Sequence, residues 1–276
     1  MSDDSATGHG APRTVVVKVG GSLVSDKRSD HDIDEAAVLD YARLVADLAR
    51  SYPGRVVLVA GGGALGHGAV RRKEHDGRLA LLPLTRATFA VKWVWTEAFR
   101  AVGLPAVPLQ AMAMYAEGGD GPMFQTGVVS RLLGTGVLPV LSGDCVLTAD
   151  GDLRILGSDH VPGILLDGSF GPVRVVALTD VPGIHAGRTG DSPVVPYLDA
   201  ADPSRAYAYL WPTAAWDTSG AMRGKVDAFV AHAARGAECV IARGDRKAAS
   251  LRHLMAPMAD WPKDLPRTVI SRSRPA

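Results

Sequence analysis

Two lysines and two glycine clusters are the residues best suited to handling phosphate. Lys18 lies within Thr14–Val19 (TVVVKV), directly before Gly20-Gly21-Ser22, and the second cluster, Gly61-Gly62-Gly63, follows Val56–Ala60 (VVLVA) and leads into Gly66-His67-Gly68. A lysine inside an apolar strand is costly unless it meets an anion or snorkels out at the strand end. Glycine turns at the carboxyl ends of parallel strands let backbone N–H groups approach an anion, and a following helix N-terminus adds favourable partial charge. Each cluster alone also fits a tight turn without a ligand. Next to each other in one sheet, they point to two phosphate-like groups bound side by side. Lys225, in Gly220-Ala221-Met222-Arg223-Gly224-Lys225 at a glycine-rich helix start, is the candidate second cation. No GxxxxGK[ST] occurs, and GxGxxG is absent in its strand-to-helix context, which disfavours P-loop and dinucleotide-binding folds.

The elements that must position these groups alternate. Asp34–Arg50 carries apolar residues at helical spacing, with Asp34 as cap, and lies between the strands Thr14–Val19 and Val56–Ala60 as a βαβ unit. A helix is expected over Leu84–Val102, carrying Phe89, Trp93, Trp95 and Phe99, then strands at Ala106–Leu109 and Val137–Leu141. Alternation at 145–148 and 153–156 about Asp150-Gly151-Asp152 reads as a β-hairpin. Beyond it the pattern predicts a strand at Val173–Leu178, a helix near Met222–Arg235, a strand at Cys239–Ala242, a helix near Arg246–Met255 and a strand at Thr268–Ser271. The expected fold class is α/β, a three-layer α/β/α sandwich with a central, mainly parallel sheet and an inserted β-hairpin. With no internal repeat or linker, one domain is expected over residues 13–272 after a disordered tail at 1–12. Its N-terminal lobe would run to about residue 170 and its C-terminal lobe over 171–272.

Composition narrows the function. The 276 residues carry 30 Lys+Arg against 29 Asp+Glu, a formal charge of +1, which excludes a polybasic nucleic-acid binder. Cys145 and Cys239 are the two cysteines and form no Cys/His cluster, so neither a disulfide scaffold nor a protein-held metal site is expected. The N-terminus has no basic or apolar leader, and no stretch of 18 apolar residues occurs, so a cytoplasmic protein without membrane association is expected.

At this point a resemblance becomes specific. Lys18-Val19-Gly20-Gly21-Ser22, Gly61-Gly62-Gly63 leading to Gly66-His67-Gly68, Gly143-Asp144, Ser158-Asp159, Thr179-Asp180-Val181-Pro182-Gly183-Ile184 and Asp217-Thr218-Ser219-Gly220 through Lys225 resemble, in order, the motifs of the amino acid kinase family over residues 14–272. The histidine after the glycine cluster resembles the branch whose acceptor already carries phosphate or phosphonate, the isopentenyl phosphate kinases and the fosfomycin kinases. The segments 61–69, Leu84-Thr85-Arg86-Ala87-Thr88-Phe89, Ala208-Tyr209-Leu210-Trp211 and Trp216–Met222 are most similar to the fosfomycin kinases, so a fosfomycin-like phosphonate or phosphate kinase is the leading expectation and an isopentenyl phosphate kinase the alternative. A non-catalytic nucleotide- or metabolite-binding module is the expectation from another class. Gly157 and Ser219 depart from the fosfomycin kinase pattern, which has a serine and a threonine there.

The resemblance implies roles. Lys18 and Lys225 would stabilise the transferring phosphoryl group, Asp159 would orient them, and Lys27 would reach the γ-phosphate of ATP. Gly20, Gly21, Ser22, Thr179, Asp180, Gly183 and Met222 would contact the nucleotide. Gly62, Gly63, Gly157, Ser158, Ser219 and His67 would cradle the acceptor, with His67 donating a hydrogen bond to it. Without the family, Asp159 also fits a helix N-cap and His67 a turn hydrogen bond. Mg²⁺ would be held largely by donor phosphates and water. The expected partner is a small phosphonate or phosphate monoester, and the family's habit is a homodimer. An acceptor oxygen already deprotonated near neutral pH needs no general base, so catalysis would rest on positioning and charge neutralisation.

Overall fold

The computed structural model describes residues 11–26, 32–71, 77, 79–118, 121–187, 191–210, 221–246 and 251–272. In chain order these form β1 (Thr14–Val19), α1 (Glu35–Ser51), β2 (Val56–Ala60), α2 (Gly63–Arg71), α3 (Leu82–Ala101), β3 (Ala106–Pro108), α4 (Ala111–Met114), β4 (Tyr115–Gly118), β5 (Gly121–Phe124), α5 (Gly127–Gly134) and β6 (Leu138–Ser142). They continue as β7 (Asp144–Leu147), β8 (Leu153–Leu156), β9 (Val173–Thr179), β10 (Tyr197–Asp199), α6 (Pro203–Tyr207), α7 (Ala221–Ala234), β11 (Glu238–Arg243) and β12 (Arg267–Ser271).

Among the described residues the main sheet has the order β10-β12-β11-β9-β1-β2-β6-β3. Every neighbouring pair is parallel except β11 with β12. Period-2 alternation divides the core into two layers. Val15, Val17 and Val19 pack with Tyr41 and Val45 of α1 and Trp95 and Phe99 of α3. Val16, Val57 and Val59 pack on the opposite side with Val129 and Leu133 of α5 and Val226 and Phe229 of α7. Lys18, an even position of β1, therefore belongs to the face that α7 covers. Strands buried on both faces read as near-continuous apolar runs, as β2 does throughout and β1 and β9 do but for Lys18 and Arg174.

The expected three-layer α/β fold and the β7–β8 hairpin are present, and Asp34 caps α1 by accepting from the Ala37 N–H at 2.9 Å. Three features differ. The segment after Gly61-Gly62-Gly63 is helix α2, not a loop, because the Ser25 hydroxyl accepts the Ala64 N–H at 2.9 Å and caps the helix from 39 residues upstream. A second hairpin, β4–β5, precedes α5. The helix expected near Arg246–Met255 is, in its described part, a 3₁₀ turn at Leu251–His253, and Pro257 caps a further 3₁₀ turn at Met258–Asp260. Of the expected 1–12 tail, Ala11 and Pro12 are described, and the buried Pro12 offers its carbonyl to Arg55. Among the described residues no helix is long and apolar enough to cross a membrane.

Candidate active site

Parallel pairing brings the carboxyl ends of β9, β1, β2 and β6 to one edge, so Asp180, Gly20, Gly61 and Gly143 follow one another in sheet order. The two glycine turns pack backbone on backbone. A Cβ on Gly21 would lie 2.6 Å from the Gly63 Cα, and one on Gly61 would lie 2.4 Å from the Gly21 N, so side chains there would force the turns apart. Ser25 ties the turns together, donating to the Gly21 carbonyl at 2.9 Å while accepting from Ala64.

Above these turns lies a cavity of about 890 Å³, lined by Lys18, Gly20–Ser22, Thr179, Asp180, Met222 and Lys225 among others. Lys18 Nζ and Lys225 Nζ each lie 2.8 Å from the same oxygen, Asp159 Oδ1. The lysine side chains are 6% and 9% exposed and that of Asp159 is 22%, so the carboxylate holds both cations at the cavity wall. This excludes the snorkelling alternative for Lys18. It also excludes the N-cap alternative for Asp159, because the following 3₁₀ turn, Val161–Leu165, is capped by His160 without a side-chain bond.

Burial pulls the Lys18 ammonium down to about 8, with Asp159 opposing the fall and Lys225 adding to it. Burial also works against the Asp159 carboxylate, but the two lysines outweigh it and hold its pKa below the ordinary carboxylate range. One carboxylate against two ammonium groups leaves the cluster with positive charge to offer an anion. Asp180 Oδ1 accepts from Thr179 Oγ1 at 2.8 Å and from Ser22 Oγ at 3.2 Å, joining the ends of β9 and β1.

A second cavity of about 360 Å³ adjoins the first and shares Gly62, His67, Ser158 and Asp159 with it. Its further walls are Val70 of α2, Leu84 and Thr88 of α3, and Ile155, Leu156 and Gly157 of the β7–β8 hairpin and its end. Buried Asp144 closes one end, accepting from Thr85 Oγ1 at 3.1 Å and from the Met112 N–H at 2.8 Å, and so links α3 and α4 to the hairpin.

Lys18, His67, Asp159, Lys225, Gly20, Gly21, Ser22, Gly62, Gly63, Ser158, Thr179, Asp180 and Met222 thus surround one space, and Gly157 lines the adjoining one. Gly183 stands apart from both linings: a Cβ there would meet Thr268 Oγ1 and Val194 Cγ1 at 2.6 Å, a packing constraint. Lys27 and Ser219 fall outside the described residues. The aromatic stripe of α3 does not line the second cavity: Trp95 is in the core against Phe99, and half-exposed Trp93 stacks on Phe89. Sequence reasoning assigned no role to Ser25 or Val70, named Leu84 and Thr88 only as part of the segment Leu84–Phe89, and named Asp144 only as part of a motif. Gly143-Asp144 carried a further local signal, its place after β6 in the same position as the glycine turns after β1 and β2. Among the described residues no group of three His, Cys, Asp or Glu side chains could hold a metal ion.

The profile of the amino acid kinase family matches residues 13–243. The chain belongs to the amino acid kinase family. An isopentenyl phosphate kinase of Methanothermobacter thermautotrophicus is 27% identical over 82% of this chain and 90% of the relative. One of Haloferax volcanii is 31% identical over 77% and 85%. The fold of a solved isopentenyl phosphate kinase substrate complex superposes with a TM-score of 0.70 at 18% identity, covering 93% of this chain and 100% of that one. These relatives correct the expectation of a fosfomycin-like acceptor, since the name that both curated proteins carry is that of the alternative.

Proposed function

We propose that this chain is an ATP-dependent kinase of a small phosphate monoester with an apolar tail, of the isopentenyl phosphate kind, yielding a phosphoanhydride and ADP. The observation that carries the reading is the second cavity, where Val70, Leu84, Ile155 and Leu156 offer apolar wall beside His67 and Asp159, which also face the larger cavity. A phosphate held at His67 and Gly62 would point its tail at these walls and an oxygen at the lysine cluster. Its oxygen attacks the γ-phosphorus as the bond to the ADP oxygen breaks, and no proton need be removed from an acceptor already ionised.

Within this reading Lys18 and Lys225 neutralise the transferring group, while Asp159 keeps two adjacent ammonium groups from repelling each other apart. The Gly20–Ser22 and Gly61–Gly63 turns line the larger cavity at strand ends, where backbone N–H groups can approach a phosphate. Mg²⁺ suits the same cavity held by donor phosphates and water, where it would add positive charge between the phosphates. Retention of both lysines and the carboxylate weighs against a pure binding module, which has no transition state to neutralise.

The test is ADP release with Mg·ATP against isopentenyl phosphate, dimethylallyl phosphate, a short alkylphosphonate and carbamate, with products read by ³¹P NMR. Turnover of the prenyl phosphates with a new phosphorus–oxygen–phosphorus linkage is the expected result. Preference for carbamate or the phosphonate, or silence while ATP binds, would overturn the reading.

A further inference from the structure

Asp159 is gripped twice by one helix. Its carboxylate meets Lys225 of α7 at 2.8 Å, and its main-chain carbonyl oxygen lies 2.9 Å from Nε2 of His232, also on α7. Positions 225 and 232 are seven apart, two turns of one helix face. The carbonyl needs such a donor. In the 3₁₀ pattern that follows, its i+3 partner would be residue 162, and Pro162 has no N–H to give. A carbonyl only accepts, so Nε2 carries the proton. His232 is 3% exposed, and its ring closes on Gly163, where a Cβ would sit 3.1 Å from Cε1. One turn further on, Arg235 donates to the Gly163 carbonyl at 3.0 Å and to that of Leu166 at 2.9 Å, fixing the rest of the same turn.

We infer that His232 is a positioning residue for phosphoryl transfer, holding the Asp159 main chain so that one carboxylate oxygen bridges Lys18 and Lys225. The inference rests on the kinase reading above. His232 acts through Asp159 and touches no substrate. Burial, together with His160 and Arg235 and against the pull of Asp159, lowers its pKa to about 4, so the ring stays neutral at working pH and donates from one nitrogen only. Lys225 and the backbone donor share a rigid helix, so any slip of the 159–166 turn relative to α7 would break both contacts to Asp159 together.

The test replaces His232 in the full chain by Gln, which keeps an N–H donor, by Phe, which keeps the bulk without it, and by Ala. With Mg·ATP and isopentenyl phosphate, kcat is expected to fall about 10- to 100-fold in His232→Phe and His232→Ala. It should recover to within about threefold of wild type in His232→Gln, with calorimetric Mg·ATP affinity held in all three. Unchanged kcat in the Phe variant, or equal loss in Gln and Phe, would overturn the role. ¹⁵N NMR of the wild-type histidines supplies a readout that needs no acceptor and no variant. The Nε2–H tautomer, neutral well above pH 4, is expected, and an Nδ1–H tautomer would overturn the contact. A wild-type chain inactive on every acceptor yet showing the Nε2–H signature would defeat the kinase reading and leave the hydrogen bond standing.

Discussion

The two cavities that meet at His67 and Asp159 are built differently. The larger, about 890 Å³, is made mainly of strand ends and the turns directly after them: Lys18 near the end of β1 and Gly20 to Ser22 after it, Gly61 to Gly63 after β2, Thr179 and Asp180 at the end of β9. The smaller, about 360 Å³, is assembled from side chains of α2, α3 and the β7–β8 hairpin, elements separated by up to about 90 residues of chain. Parallel topology builds the floor of the first, because sheet order lines up carboxyl ends whatever the loops contain, and α7 adds Met222 and Lys225 to it. The second depends on how two helices and a hairpin dock, so its shape can vary while the charge cluster stays fixed. That is the division expected of a site whose donor is common and whose acceptor is particular.

The comparison breaks most severely at Asp159, the shared wall. Asp159→Asn leaves two buried ammonium groups without a counter-charge, so kcat should fall by about 10²–10³-fold. Stability should fall by about 3–5 kcal/mol, read by urea denaturation. A variant stable and active at wild-type level would show that the lysines are not held through this carboxylate.

Gly66 sharpens the division between cavities. It is buried on α2, lines only the smaller of the two, and an added Cβ would meet nothing within 4 Å. Gly66→Leu should raise the acceptor KM about tenfold with Mg·ATP affinity unchanged, since the side chain fills acceptor space. Replacing a helical glycine should also add about 0.5–1 kcal/mol of stability, visible as a higher Tm. Parallel loss of nucleotide affinity would refute the separation.

A smaller effect is expected from pH. Lys18 loses its proton as pH rises through about 8, so kcat/KM should decline above that value, whereas the decline in kcat should come later because a bound γ-phosphate raises the pKa. Stability runs the opposite way. The folded-state pKa of about 8 lies below the ordinary 10.5, so the unfolded chain binds more protons between the two values and this group's contribution to stability rises with pH there. Coincident falls of both profiles would remove Lys18 from the account.

What the sequence made legible follows the same division. β1, β2 and β9 are near-continuous apolar runs ended by glycine or Thr179-Asp180, and such local patterns carry both fold class and donor-side residues. Helix α2 was hidden because its cap, Ser25, lies 39 residues upstream, and a glycine-rich segment without a local cap reads as loop. His232 was hidden because nothing local marks its partner. The proline that leaves the Asp159 carbonyl without a donor stands 70 residues earlier, and only the docking of α7 brings them together. Nothing in the α3 pattern by itself separates core from acceptor wall: Trp95 packs in the core, while Leu84 and Thr88, nearer the helix start, face the cavity. An aromatic side chain buries more area in a core than at a cavity edge, and packing decided its place.

His67 lines both cavities, so its allegiance tests the central claim most directly. The measurement is kcat for isopentenyl phosphate alongside calorimetric Mg·ATP affinity in wild type and His67→Ala. The account predicts a fall in kcat of about 10²-fold with nucleotide affinity unchanged. Equal loss of both, or retention of kcat, would contradict an acceptor-side histidine beside a shared cationic cluster.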